Sequence, residues 1–493
     1  MFLTPFTTLV VILVLLLFLV AFLLIRTVSF ARPFQPVEPV EGLPVNAAVV
    51  AEHLSAAIRC ETYALGQAIT PNRQGLLALH RLLERLYPLA HISMKREVIN
   101  DYSLLYTWEG AQPELPAVLF MAHQDVVPVD PFSLPDWTYP PYDGQVAEGF
   151  VWGRGALDIK NLMIALFEAV EERLKTGYQP QRTVYLAFGH DEETLQGSGA
   201  EAIAALLQER KVTLAAVLDE GGTIVKGVLP GVKEPVAMVG TAEKGYLTLE
   251  LCVQGQPGHT SRPPAHTAIG VLAEALSRLE ANPLPAHISA VRPLFKGVGG
   301  YAPFFTQMAF ANLWLFGGMV KRRLEADPGT NSTIRTTTAI SMIQGGLREN
   351  ILPAQARALV NFRLLTGDSI AAICDHVRRV IHDEHVHFEV LEGKAWEASP
   401  SSPVEGAPFY GLESVTHKVF GNLPVAPYLI SGATDARKYA GLCENIYRYV
   451  PVITEQADLD RMHGTNERIA VAALEKMVLF YSELIPAWSE IQP

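Results

Sequence analysis

Apolar and polar positions along the chain fall into three rhythms, and the first is the simplest. Residues 6–25, FTTLVVILVLLLFLVAFLLI, form a run of twenty without a charge. At 1.5 Å rise per residue a helix of that length spans about 30 Å, the thickness of a bilayer core, so the run predicts a membrane-spanning helix. A cleaved signal peptide is the competing reading. Its apolar stretch would be shorter and would follow a Lys or Arg, and neither feature is present. Ser29-Phe30-Ala31 still has the small residues of a cleavage site, so secretion after cleavage stands as the alternative. Arg26 and Arg32 follow the span and point the body toward the cytoplasm, but two arginines leave the side of the membrane open. The Pro-rich stretch 33–44 then reads as a linker.

The second rhythm begins at Ala47. Helical spacing runs to about Arg85, in AAVVAEHLSAAIRC and QGLLALHRLLERL. Apolar strands then alternate with helices: AVLFMAHQD, the helix LMIALFEAVEERLKTG, TVYLAFGH, the helix GAEAIAALLQER, and LAAVLDEGG. This alternation predicts a three-layer α/β domain around a mostly parallel sheet. Sites in such sheets form at the carboxyl ends of the strands. All three strands here end in His or acidic residues.

From about Gly245 the order changes to strand GYLTLELCVQG, helix HTAIGVLAEALSRLEAN, strands STIRTTTAISMIQGG and QARALVNFRLL, helix SIAAICDHVRRVIHD and strand VHFEVLEG. That βαββαβ order predicts a separate ferredoxin-like α+β domain inserted into the first. Within it residues 288–331 are extra and mostly apolar in FFTQMAFANLWLFGGMVKRRL, which suits an interface, a cover or plain core. The expected organisation is an anchor over 1–32, a linker over 33–46 and a catalytic domain in two parts, 47–244 and 395–493. A lid or dimerisation domain over 245–394 separates those parts.

Composition changes this picture only at the margins. At 493 residues the chain is too long for one typical core. Its net charge of −12 argues against nucleic acid as a partner, because phosphates are bound by clustered Lys and Arg. Cys60, Cys252, Cys374 and Cys443 are far apart and form no CxxC pair, so they read as small buried hydrophobes rather than a disulfide framework or thiolate metal site.

The strand ends carry the chemistry. MAHQDVVPV supplies His123 and Asp125, GRGALDIKN supplies Asp158, and GHDEE supplies Glu192 and Glu193. LDEGG supplies Asp219, and RMHGTNE supplies His463. Each motif alone has a plain structural explanation: a satisfied loop histidine, a solvated helix start, a turn. Together they pose a charge problem, because adjacent carboxylates at the end of a buried strand repel one another. Zinc accepts imidazole and carboxylate ligands, and two zinc ions would neutralise the stack, with one carboxylate bridging them. Manganese or cobalt would suit the same ligands.

MAHQDVVPV, WGRGALDIK, GHDEE, PGHTSRPP and RMHGTNE, in this order, resemble the M20 family of zinc aminoacylases and carboxypeptidases. LISGATDARKYAG, IYRYVPV and DLDRMHGTNERI look like the carboxypeptidase S and N-fatty-acyl-amino-acid synthase/hydrolase branch. The resemblance implies that His123 and Asp219 bind one zinc, that Glu193 and His463 bind the other, and that Asp158 bridges. Asp125 would fix the tautomer of His123, and Glu192 would act as general base and then protonate the leaving amine. His259, in GQPGHTSRPP, would stabilise the oxyanion, reaching over from a partner subunit's lid. Arg348 and Asn350, in GGLRENILP, would bind substrate. Arg437, in SGATDARKY, is a candidate for the substrate carboxylate, with a surface salt bridge as its alternative.

The implied activity is hydrolysis, or formation, of the amide bond of an N-acyl amino acid bearing a free carboxylate. Carboxypeptidase action on short peptides is the nearest alternative. A rival of another class is a membrane-tethered binding protein on an inactive M20 scaffold. No metal ligand or base is missing from the sequence to favour it.

Overall fold

Strands Ala117–His123, Val184–Gly189 and Leu214–Asp219 are nearly continuous apolar runs because the sheet they form is covered on both faces. Side chains alternate between those faces with a period of two. Val118, Phe120 and Ala122 enter one core, with Leu186 and Phe188 beside them, whereas Leu119, Met121 and Ala187 enter the other. Helices Ala47–Ile58, Lys160–Lys175 and Val471–Ser489 cover the first face. Ala200–Glu209 and the short 3-10 turn Asp435–Tyr439 cover the second. Lys160–Lys175 is buried over its first twelve residues, which explains why it is apolar almost all round. The computed structural model describes residues 5–30, 45–66, 70–194, 196–227 and 232–491. The expected linker 33–44 therefore lies outside the described residues.

The main sheet has ten strands and is mixed rather than mostly parallel. Ala117–His123 is central, parallel to Val184–Gly189 on one side and to Leu214–Asp219 on the other. The departure comes from the flanks. Lys95–Ile99 and Ser103–Trp108 form an antiparallel hairpin that pairs with Val184–Gly189. Asn100 and Asp101 both have positive φ at its turn, the backbone that a tight hairpin's twist requires. On the other flank Val236–Glu243 runs antiparallel to Ile446–Arg448 and parallel to Val425–Ile430.

A second, four-stranded antiparallel sheet is ordered Thr337–Gly345, Gln355–Leu364, Gly245–Gln254, Val386–Trp396. Helices Ala268–Ala281 and Ile370–Ile381 bury its apolar face in a core of its own. Residues 288–334 fold into helices Arg292–Val298, Phe304–Ala311, Leu313–Glu325 and Pro328–Ile334. The N-terminal run is one helix, Pro5–Phe30, mostly exposed, and it is the one described helix long and apolar enough to cross a membrane. The four cysteines are free.

Candidate metal centre

Three neighbouring strands of the main sheet end at the same level and deliver four of the site's side chains. His123 closes the central strand, opposite Gly189, the last residue of the neighbouring strand. Two residues beyond His190 come Glu192 and Glu193, and Glu220 follows Asp219 at the end of the third strand. The remaining two side chains arrive from loops. Asp158 precedes helix Lys160–Lys175, and His463 lies between Gln456–Leu459 and Arg468–Ala470 with a positive φ.

Asp158 sits between the two imidazoles. Its Oδ1 is 3.1 Å from His123 Nε2 and its Oδ2 is 3.0 Å from His463 Nε2. Glu220 Oε1 is also 3.1 Å from His123 Nε2, and Glu193 Oε1 is 3.2 Å from His463 Nε2. Three groups of candidate ligand atoms result: His123–Asp158–Glu220 and Asp158–Glu193–His463, which share Asp158, and His123–Glu192–Glu193. Glu192 belongs to the third of these, with His123 and Glu193, and to neither of the two that share Asp158.

The structure sets one expected ligand, Asp219, apart from the groups that share Asp158. Asp219 turns away from His123, and its Oδ2 accepts the Ala436 N–H at 2.8 Å. The reason is the period of two along the strand. Val217 faces the core under the Asp435–Tyr439 turn, so Asp219 does too. Leu218 faces the opposite core, and Glu220 follows its side toward His123.

The role expected of Asp125 is only partly its carboxylate's. His123 Nδ1 is 2.9 Å from the main-chain carbonyl of Asp125, and the nearer carboxylate oxygen is 3.5 Å away. That carboxylate accepts the N–H of Glu192 at 3.2 Å and of Glu193 at 3.0 Å. Asp125 therefore orients the ring through its backbone and the acidic pair through its side chain.

Glu467 was not singled out from the sequence. It is fully buried, and its Oε1 accepts the N–H groups of Gly155, Leu157 and Asp158 at 3.0, 2.7 and 3.1 Å. Its Oε2 pairs with Arg154, which also donates to the carbonyls of His463 and Gly464. One buried ion pair thus ties the Asp158 loop to the His463 loop. Removing one partner of such a pair costs about 3–5 kcal/mol, because a charge is left buried alone. The signal was its place in RMHGTNE, four residues after His463.

The electrostatics show what the cluster lacks. Four carboxylates and two imidazoles meet here, and among the described residues no Lys or Arg pairs with Asp158, Glu192, Glu193 or Glu220. The nearby cations Arg154 and Arg448 are taken by Glu467 and Glu243. Burial drives Glu192 well above the usual carboxylate range, against the pull of His123 and with added repulsion from Glu220, Asp435 and Glu193. Burial likewise raises Glu193, and raises Glu220 to about 8. Burial opposes charge on His123, yet Glu220, Asp125 and Asp158 outweigh it and raise the ring well above its ordinary value. Hydrogen bonds to Asp158 and Glu193 raise His463 to about 10. Acids that bind protons and imidazoles that keep them both signal a demand for positive charge.

Divalent cations meet that demand. Ligand atoms about 2.0–2.2 Å from one tetrahedral zinc ion lie roughly 3.3–3.6 Å from each other, and the observed separations of 3.0–3.2 Å need only open by a few tenths of an ångström to admit it.

The other expected residues are elsewhere. His259 is exposed on the two-residue strand Gly258–His259, paired with Ile351–Leu352, and its Nδ1 accepts the Ser261 N–H. Arg348 and Asn350 are exposed in the adjoining turn, where the Asn350 carbonyl accepts the Thr260 N–H. Backbone pairing gathers these three at a separate two-stranded ribbon, and among the described residues none bonds to the carboxylate cluster. Arg437 donates to the Thr434 carbonyl at 2.6 Å, and its guanidinium lies 5.0 Å over the Trp396 ring.

Comparison with known proteins follows the same lines. The profile of peptidase family M20/M25/M40 matches residues 119–487. An N-fatty-acyl-amino acid synthase/hydrolase, PM20D1, of Xenopus tropicalis is 38% identical over 489 residues, covering 97% of this chain and 94% of that protein. A probable carboxypeptidase S-like 2 of Dictyostelium discoideum is 37% identical, covering 88% and 84%. Among solved structures, the M20 family metallo-carboxypeptidase Sso-CP2 of Sulfolobus solfataricus superposes with a TM-score of 0.63 at 16% identity, covering 90% of this chain and 98% of that one.

Proposed function

This chain belongs to peptidase family M20/M25/M40 and is an enzyme of a metal-dependent family, and on that premise we propose that it cleaves the amide bond of N-acyl amino acids at a two-zinc centre. The observation that carries the reading is the pair of ligand groups sharing Asp158, with Glu192 beside them and outside both. His123, Asp158 and Glu220 would hold one ion, and Asp158, Glu193 and His463 the other. Bound there, the ions would supply Lewis acidity toward the amide carbonyl and a lowered pKa for the attacking water.

Glu192 takes the proton of that water and returns it to the leaving nitrogen, as a positioned carboxylate can. Asp125 holds the Glu192 and Glu193 backbone and the His123 ring in register for this transfer. The same groups serve amide formation, since the barrier is shared by both directions. His259 is exposed and apart from the cluster of its own chain, which supports a role on the oxyanion of a second copy's site. Arg348 and Asn350 adjoin it and would contact the substrate there. Arg437 would leave the Trp396 ring to meet a substrate carboxylate, giving up a contact worth about 0.5–2 kcal/mol for a bidentate pair. In this reading residues 47–244 and 395–493 form the catalytic domain, 245–394 cover it, and Pro5–Phe30 anchors the chain in a membrane.

The acyl amino acid is preferred as substrate because the Xenopus relative named for that chemistry aligns over nearly the whole chain. The Dictyostelium relative supports carboxypeptidase action as the second reading. The two separate in one experiment. The full chain, loaded with zinc, is incubated with a mixture of fatty-acyl amino acids and dipeptides, and each is followed by mass spectrometry. Release of free fatty acid and amino acid is expected. Cleavage of the dipeptides alone would transfer the assignment to a carboxypeptidase. No cleavage by a folded, zinc-loaded chain would overturn both readings.

A further inference from the structure

The helices of residues 288–334 leave one face uncovered, and its place beside the N-terminal helix says what covers it. On Leu313–Glu325 the exposed positions are Trp314, Leu315, Gly318, Met319, Arg322 and Arg323, which recur with helical spacing along a single face. That face is apolar at its start and basic at its end. Phe304 and Phe305, at the start of the preceding helix, are exposed as well, with Phe305 77% and Trp314 57% exposed. Scattered exposed apolar residues need no explanation, but five large ones within sixteen residues, three of them on one helix face, do.

The N-terminal helix is bound to this segment along its last turns. Asn312 donates to Thr27 Oγ1 and to the Leu23 carbonyl, and Gln307 donates to the Thr27 carbonyl. Arg26 donates to the Ala311 carbonyl at the end of helix Phe304–Ala311, so the first charge after the apolar run is satisfied by protein. Phe22 meets Trp314 edge to face, with ring centroids 6.3 Å apart. Phe22 lies four residues before Arg26, about 6 Å inside the uncharged run at 1.5 Å per residue. A bilayer that takes up residues 6–25 therefore reaches the level of Trp314.

We propose that residues 288–334 are a second membrane contact, with Phe304, Phe305, Trp314, Leu315 and Met319 seated in the interfacial layer of the bilayer that holds the N-terminal helix. The inference rests on that helix spanning the membrane uncut. Tryptophan favours this layer, where its ring is apolar and its N–H remains wet. A helix with an apolar face and basic residues lies along the same boundary, and Arg322 and Arg323 meet lipid phosphates from it. Val298 packs with Ala426 of the main sheet, so the contact fixes the catalytic body against the membrane surface.

The test uses the full chain in phosphatidylcholine–phosphatidylglycerol nanodiscs, with a nitroxide on the upper acyl chain of a fraction of the lipid. Tryptophan emission is compared between the protein and Trp314→Phe, with aqueous iodide as the opposing quencher and amide hydrolysis as the check that the variant folds. Trp314→Phe is expected to lose most of the lipid-quenchable emission and to keep its activity. Equal lipid quenching in both proteins, or iodide quenching of the Trp314 component, would overturn the proposal. A Trp314 shielded from both quenchers in a dimeric particle would assign the face to a second copy and overturn it as well. Retention of the intact chain in the nanodisc reports the anchor separately, and its release would overturn the proposal with its premise.

Discussion

Glu192→Gln is expected to lower kcat by about 10²–10⁴-fold, the contribution of a positioned general base, while the zinc content stays unchanged. Glutamine keeps the shape of the side chain and cannot accept the proton of the attacking water. Glu192 is outside both ligand groups that share Asp158, so its replacement leaves each group whole. The neighbouring main chain is held by Asp125 through the N–H groups of residues 192 and 193, which the substitution does not touch. Burial and the surrounding acids raise Glu192, and positive charge among those acids favours its ionised form. Steady-state kinetics with metal analysis by mass spectrometry checks both parts. A variant that keeps its turnover would remove Glu192 from proton transfer, and one that loses zinc would make it a ligand.

The second large effect separates two adjacent residues. Glu220→Gln is expected to bind one zinc ion fewer than the unsubstituted chain, with affinity at the affected site reduced by at least about 100-fold, the upper range for disturbing even an outer partner of a ligand. Asp219→Asn is expected to keep both ions. Its remaining carbonyl oxygen can still accept the Ala436 N–H, the bond that the carboxylate makes now. Competitive titration against a chromogenic chelator measures both variants. Zinc loss on Asp219→Asn with full retention on Glu220→Gln would restore the assignment expected from the sequence.

That pair shows where sequence reading stopped. LDEGG places two acids at a strand end, and only the facing of the strand decides which one reaches His123. Val217 and Leu218 are both buried and apolar, so a strand covered on two faces carries no alternation in its sequence to reveal that facing. The family itself was legible, because His123, Asp158, Glu193 and His463 lie in long motifs with fixed order, and the structure brings these four together. The hairpin of residues 95–108 was legible in principle from Asn100-Asp101 between two β-rich runs. Glu467 was legible only as an acid in RMHGTNE, since its work is done on backbone N–H groups more than three hundred residues away. His259, Arg348 and Asn350 share a corner through strand pairing, a proximity that spacing of ninety residues does not suggest.

The central claim is that two divalent cations share Asp158 between the His123 and His463 groups. Anomalous scattering at the zinc edge from crystals of the zinc-loaded chain tests it most directly. Two peaks about 3.5–4 Å apart, the spacing of paired catalytic metals, are expected. One should be bordered by His123 and Glu220, the other by Glu193 and His463, with Asp158 between them. A single peak, or two peaks of which one is bound by Asp219 and not by Glu220, would contradict the account.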